Sequence, residues 1–144
     1  MSQSKKPFYR EKYALCNGCL DPIVEIKLGK EKRKIKAYVD TGCSTGIFAF
    51  KEQVKDLDLG AQINDEPSPC IFADGRRIGA NEYVTQISIN EEERIIQITV
   101  LDPTIDMGKE EVGAMTPLLG RNFIDHYDVS FKGKEKVIEF FVPE

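Results

Sequence analysis

The chain has one histidine, four cysteines and no apolar run near the roughly 18–20 residues that a membrane-spanning helix needs. Each scarcity removes a class of function. A Ser-His or Cys-His hydrolase would have to use His126, which sits beside Tyr127 with nothing nearby to complete a triad. A structural zinc site needs four ligands. Cys16-Asn17-Gly18-Cys19 offers two of them, and there is no second C-x-x-C or paired histidine. A thioredoxin-like role would need a βαβ setting, and none follows the motif, so it reads as a turn carrying two reduced thiols. Basic excess is missing as well. The 20 Lys+Arg against 24 Asp+Glu leave a net charge of −4, which argues against a nucleic-acid partner. Residues 1–7 carry charge with no apolar stretch behind it, unlike a secretory signal. The expectation is a cytoplasmic protein with reduced cysteines and no membrane association.

What is present reads as β structure. At 144 residues, 41% hydrophobic and 31% charged, the chain fits one soluble domain with one modest core. Residues 1–20 lack periodicity and read as an N-terminal arm, and residues 21–144 read as the folded domain. Val24, Ile26 and Leu28 alternate with charged residues. So do Ile35, Ala37 and Val39, with a turn at Gly29-Lys30-Glu31 between the two runs. Lys51 to Leu59 carries one or two helical turns. Cys70 to Ala73 leads into Asp74-Gly75, a strong hairpin signal, and a long return arm runs from Arg76 to Asn90. Further strands follow over Arg94–Leu101, Leu118–Gly120, Val129–Phe131 and Lys136–Val142. A loop is expected over 102–116 and a short helix over Arg121–Tyr127. Many short strands with regular turns and little helix point to an all-β, barrel-like domain.

The most informative stretch is Ala37-Tyr38-Val39-Asp40-Thr41-Gly42-Cys43-Ser44. An alternating strand ends on a carboxylate, and a glycine turn follows at once. The tripeptide alone also fits an ordinary strand-to-turn exit. Two further features accompany it. Leu118-Leu119-Gly120-Arg121-Asn122-Phe123-Ile124 begins 78 residues after Asp40, and the Asp74-Gly75 hairpin lies between.

Together these residues resemble the retroviral-type, or retropepsin-like, single-domain aspartic proteases, in the correct order over about residues 21–142. The resemblance implies an all-β acid-protease barrel with a flap hairpin and one short C-terminal helix, acting as a symmetric homodimer on an extended peptide or protein substrate. It implies that Asp40 is the catalytic carboxylate and that Thr41 ties the two active-site loops across the dimer axis. Gly42 lets the backbone approach the carboxylate. Leu118, Leu119 and Gly120 pack behind the loop, and Arg121 braces the loop or the dimer. The flap tip falls at Phe72, Ala73, Asp74 and Gly75. Ile71, Ile78 and Phe48 join Phe72 as candidate pocket walls, with ordinary core as the competing role. Ser44 stands where retroviral members often carry an acid, which leaves the partner of Arg121 open. Cys43 stands where two-domain acid proteases often place a hydroxyl. A thiol donates more weakly, which favours activity nearer neutral pH. Val137 to Val142 has the character to pair across a two-fold axis or to serve as an internal edge strand, and the N-terminal arm could join a dimer interface.

The chemistry that follows is that of the established aspartic-protease dyad. Two copies of Asp40 within hydrogen-bond reach hold one proton between them. One activates water and the other hydrogen-bonds the peptide carbonyl. The reaction needs no metal or organic cofactor. The alternative keeps the fold and makes it a weak or inactive dimerisation or binding module.

Overall fold

The structure, a computed structural model, describes residues 5–16, 18–71, 75, 77–106 and 116–144, with 103–106 described through the backbone only. In chain order the elements are β1 (Tyr9–Lys12), β2 (Ala14–Cys16), β3 (Cys19–Asp21), β4 (Ile23–Leu28), β5 (Arg33–Val39), β6 (Ile47–Phe50) and α1 (Lys51–Val54). They continue with β7 (Ser68–Ile71), β8 (Arg77–Ile89), β9 (Glu92–Asp106), β10 (Leu118–Leu119), α2 (Arg121–Ile124), β11 (Asp128–Lys132) and β12 (Val137–Phe141).

Seven strands form one sheet in the order β4-β5-β10-β6-β9-β8-β7, and a further β4–β8 pairing closes it on itself. This is the barrel that the alternating runs predict. In β4, Val24, Ile26 and Leu28 are fully buried, and Ala37 and Val39 of β5 face the same core as Ile47, Ile87, Ile89, Ile98 and Leu119. The charged partners on β4 and β5 (Glu25, Lys34, Lys36) remain outside, as a period of two requires. The β4–β5 connection turns at Gly29, whose φ of +81° suits glycine, and closes through Lys32 at φ 52°.

The connectivity around β10 positions the functional loop. β5 and β6 are consecutive in sequence yet do not pair with each other. β10 lies between them, parallel to β5 (Leu118↔Tyr38, Leu119↔Val39) and antiparallel to β6 (Leu118↔Phe48, Leu119↔Ile47). Residues 40–46 therefore bridge over the end of β10.

Three expectations change. The irregular arm expected over residues 1–20 contains strand: β1 pairs with β12 from Tyr9↔Phe140 to Lys12↔Val137, and β2 and β3 form a separate hairpin. Phe8 and Tyr9 pack on Tyr127 and Phe140, with ring centroids 5.1–6.1 Å apart. β12 is not an edge. It is the centre of the sheet β1-β12-β11, so both of its hydrogen-bonding edges are taken within the chain, and it is not free to pair across a two-fold axis. Finally, β9 does not stop at Leu101. It continues to Asp106, opposite Ile78, past an irregularity in register between Ile78 and Ala80.

Candidate active site

Asp40 leaves the end of β5 half-exposed, at the floor of a groove of about 420 Å3. Its backbone is tied to the strand behind it, the Asp40 N–H donating to the Leu119 carbonyl at 3.0 Å. The turn closes on itself through Cys43 N–H to the Asp40 carbonyl, at 3.2 Å. Gly42 N–H donates to Asp40 Oδ1 at 2.8 Å, which fixes one carboxylate oxygen of this groove-lining residue. A Cβ on Gly42 would stand 3.2 Å from that Oδ1, a tight contact.

The segment from β10 into α2 clamps the loop from behind. Gly120 N–H donates to the Gly46 carbonyl at 2.9 Å and Arg121 N–H to the Cys43 carbonyl at 2.7 Å. Glycine at 120 is required by space. A Cβ there would lie 2.0 Å from the Thr45 carbonyl oxygen and 2.7 Å from that of Cys43. Leu119 is fully buried and Leu118 half-buried. Arg121 is exposed, and its contribution to the loop is its backbone N–H. Thr41 and Ser44 are exposed, and Ser44 lines the groove.

Burial pushes the Cys43 thiol above its ordinary pKa, and the Asp40 charge adds to this, against a backbone hydrogen bond at Thr45 and the Arg121 charge. The thiol stays neutral at neutral pH, a weak donor beside the carboxylate and not a nucleophile.

Opposite this floor lies the β7–β8 hairpin, paired from Ser68↔Ala80 to Ile71↔Arg77. It is the hairpin expected to form a flap. The expected tip residues Phe72, Ala73 and Asp74 lie outside the described residues, and Gly75 is exposed at φ +87°. Of the other candidate pocket walls, Phe48 lines the groove. Ile78 packs with Phe50, Ala80 and Leu101 in a small satellite cluster, and Ile71 is 68% exposed.

Six groove residues escape a reading of the sequence: Thr45 in the active-site loop, Ser68, Pro69 and Cys70 on β7, Glu82 on β8 and Thr99 on β9. Glu82 and Thr99 sit directly opposite each other across β8 and β9. The usable signal was the parity of β8, which puts Glu82 on the same face as Ile78 and Ala80. An isolated acid on that face is out of place unless it borders a cavity. Among the described residues, no group of three or more His, Cys, Asp or Glu side chains is placed to hold a metal ion. Cys16 and Cys19 face each other across the β2–β3 hairpin as free thiols.

No family model and no curated protein sequence matches this chain. Solved structures do match its fold. A retropepsin-like aspartic protease from Rickettsia conorii is similar with a TM-score of 0.59 over 90% of this chain and 97% of that one, at 18% identity. The EIAV protease, solved in complex with the inhibitor HBY-793, is similar with a TM-score of 0.56 over 78% of this chain and 92% of that one, at 13% identity. The closed barrel, the loop that bridges β10 and the hairpin above the groove are thus the retropepsin-like fold.

Proposed function

We propose that the chain is an aspartic endopeptidase that works as a symmetric homodimer on extended peptide segments, each copy supplying one Asp40. One observation carries this reading. Asp40 is delivered to the floor of an open groove by a loop held through backbone hydrogen bonds to Leu119, Gly120 and Arg121. A catalytic carboxylate must be held this firmly to be useful, because small misplacements cost large factors in rate. The chain has a single Asp-Thr-Gly, so a second carboxylate comes from a second copy.

In the dimer the two Asp40 carboxylates share one proton. The charged member takes a proton from a water held between them as that water attacks the scissile carbonyl. The protonated member donates to the carbonyl oxygen, and a proton then passes to the leaving nitrogen. Within each copy the Gly42 N–H fixes one carboxylate oxygen, so the other is aimed at the water. The substrate lies extended along the groove, pairing its main chain with the rims.

The test is cleavage of an unbiased peptide library from about pH 3 to 8, wild type beside Asp40→Asn. The expected loss in Asp40→Asn is about a thousandfold or more. Undiminished cleavage by a folded Asp40→Asn overturns the mechanism. A wild type that is folded and dimeric yet silent makes the chain a dimerisation or binding module instead.

A further inference from the structure

We infer that Glu82 makes the groove beside Asp40 a subsite for a basic side chain, so that the preferred segments carry Arg or Lys at one fixed position on each side of the cleaved bond. The inference rests on the function proposed above and adds the class of substrate.

The argument starts from what the groove contains. Its walls are mostly apolar or neutral: Phe48 and Leu118 on one side, Pro69 and Cys70 on the flap arm. Among its described lining residues the charged groups are the two carboxylates of Asp40 and Glu82, and there is no Lys, Arg or His. Asp40 is committed to the reacting bond. Among the described lining residues Glu82 is therefore a negative charge with no cationic partner, in a site where bound peptide would displace water and strengthen its field.

Its geometry is set by neutral donors. Thr99 Oγ1 donates to Glu82 Oε1 at 3.1 Å. The Gln97 side-chain amide donates to Oε2. Thr45 Oγ1 of the active-site loop lies 3.1 Å from Thr99 Oγ1 and donates to the Gln97 carbonyl at 3.1 Å, so the loop packs beside the residues that hold Glu82. On the backbone, Glu82 N–H is held by Asn64 Oδ1 at 2.8 Å. An ionised carboxylate offers about four lone-pair positions. Two are used here by donors that do not neutralise the charge, which leaves two for a ligand in the groove that Glu82 lines. This suits a guanidinium fork or an ammonium group on an aliphatic stem. The stem of Arg or Lys would lie along Phe48, Leu118 and Pro69, which explains an acid at the end of an apolar wall. The field of Glu82 is already felt inside the groove: burial and then the Glu82 charge both push the Cys70 thiol upward.

If Glu82 were only a brace between β8 and β9, replacing it would loosen the fold without altering which peptides bind. The experiment separates the two roles without relying on cleavage. Blocked octapeptides in which arginine is walked through every position are titrated into full-length Asp40→Asn protein, beside a matched series carrying citrulline, which keeps the shape and removes the charge. The expected result is tighter binding of the arginine peptide by about five- to tenfold at two positions related by the two-fold axis, falling as salt is raised. In Glu82→Gln the ratio of arginine to citrulline binding should collapse to near one. A ratio near one at every position in the protein carrying Glu82, or an arginine preference that survives Glu82→Gln, overturns the subsite. Should Glu82→Gln fail to fold, the salt dependence of the arginine preference with Glu82 in place decides alone, a salt-insensitive ratio being fatal. An arginine preference in a wild type that cuts nothing keeps the subsite and rejects the peptidase.

Discussion

Gly120 shows how much of the site depends on a missing atom. Its backbone is ordinary extended chain, φ −107°, so conformational freedom is not the reason for glycine. The reason is that the Thr45 and Cys43 carbonyls crowd the place where a Cβ would stand. Both obstacles are backbone, so no rotamer change relieves the clash. Gly120→Ala should cost about 1–3 kcal/mol and lower the melting temperature by several degrees. Peptide cleavage should fall further than stability alone explains, because the displaced loop carries Asp40. An unchanged melting temperature would mean that the loop is not clamped from behind. Asp40 itself shows the opposite economy: a single backbone N–H, that of Gly42, sets its orientation.

Among the elements, β12 has the most to lose. Val137, Ile138 and Phe140 are buried, and so is Glu139, which is only 6% exposed on its far face. Glu139 is tolerated there because two cations from the flanking strands reach it. Lys132 of β11 lies at 2.9 Å and Arg10 of β1 at 3.2 Å. The Lys132 hydrogen bond holds the Glu139 carboxyl below the ordinary range, against desolvation, with Arg10 adding to it. A carboxyl lowered in the folded state stabilises fully above its unfolded value, about 4.3, and loses that contribution as pH falls through the lowered one. The melting temperature of wild type should therefore exceed that of Glu139→Gln at neutral pH, and the gap should close below about pH 4. A gap that is constant from neutral pH to pH 3 would show that the ion pairs contribute nothing.

For the whole molecule, the question is where a second copy can sit. The β4–β8 pairing takes up the second edge of β4 at Lys27 and Leu28, and β12 is enclosed by β1 and β11. A dimer built as proposed brings the two Asp40 loops together at its axis, and it does not pair through β12. Mixing tests this directly. If each active site needs one Asp40 from each copy, an equal mixture of wild-type and Asp40→Asn chains should keep about a quarter of its dimers fully competent. Specific activity should also fall on dilution as the dimer dissociates. Activity proportional to wild-type chain alone, at every dilution, would place the chemistry in a single copy.

The barrel strands β4 and β5 were legible along the chain because apolar and charged residues alternate there, and β8 because Tyr83, Thr85, Ile87 and Ile89 recur at every second position. The exit of Asp40 into a glycine turn and the Leu-Leu-Gly-Arg segment were legible for the same reason: both are local. β1 was not. It has one buried residue, Tyr9, and its partner Phe140 is at the other end of the chain, so no window of sequence contains the pair. β9 past Leu101 was hidden by Pro103, which breaks any local strand pattern although pairing opposite Ile78 continues. Glu82 was hidden because the parity that sets it beside Ile78 and Ala80 does not show that this face borders a groove until Thr99, Gln97 and Phe48 are brought around it. Periodicity and turn chemistry lie within a few residues and can be read in one dimension. The enclosure of β12 and the wall of the groove arise from pairings between distant segments, and they exist only once the barrel has closed.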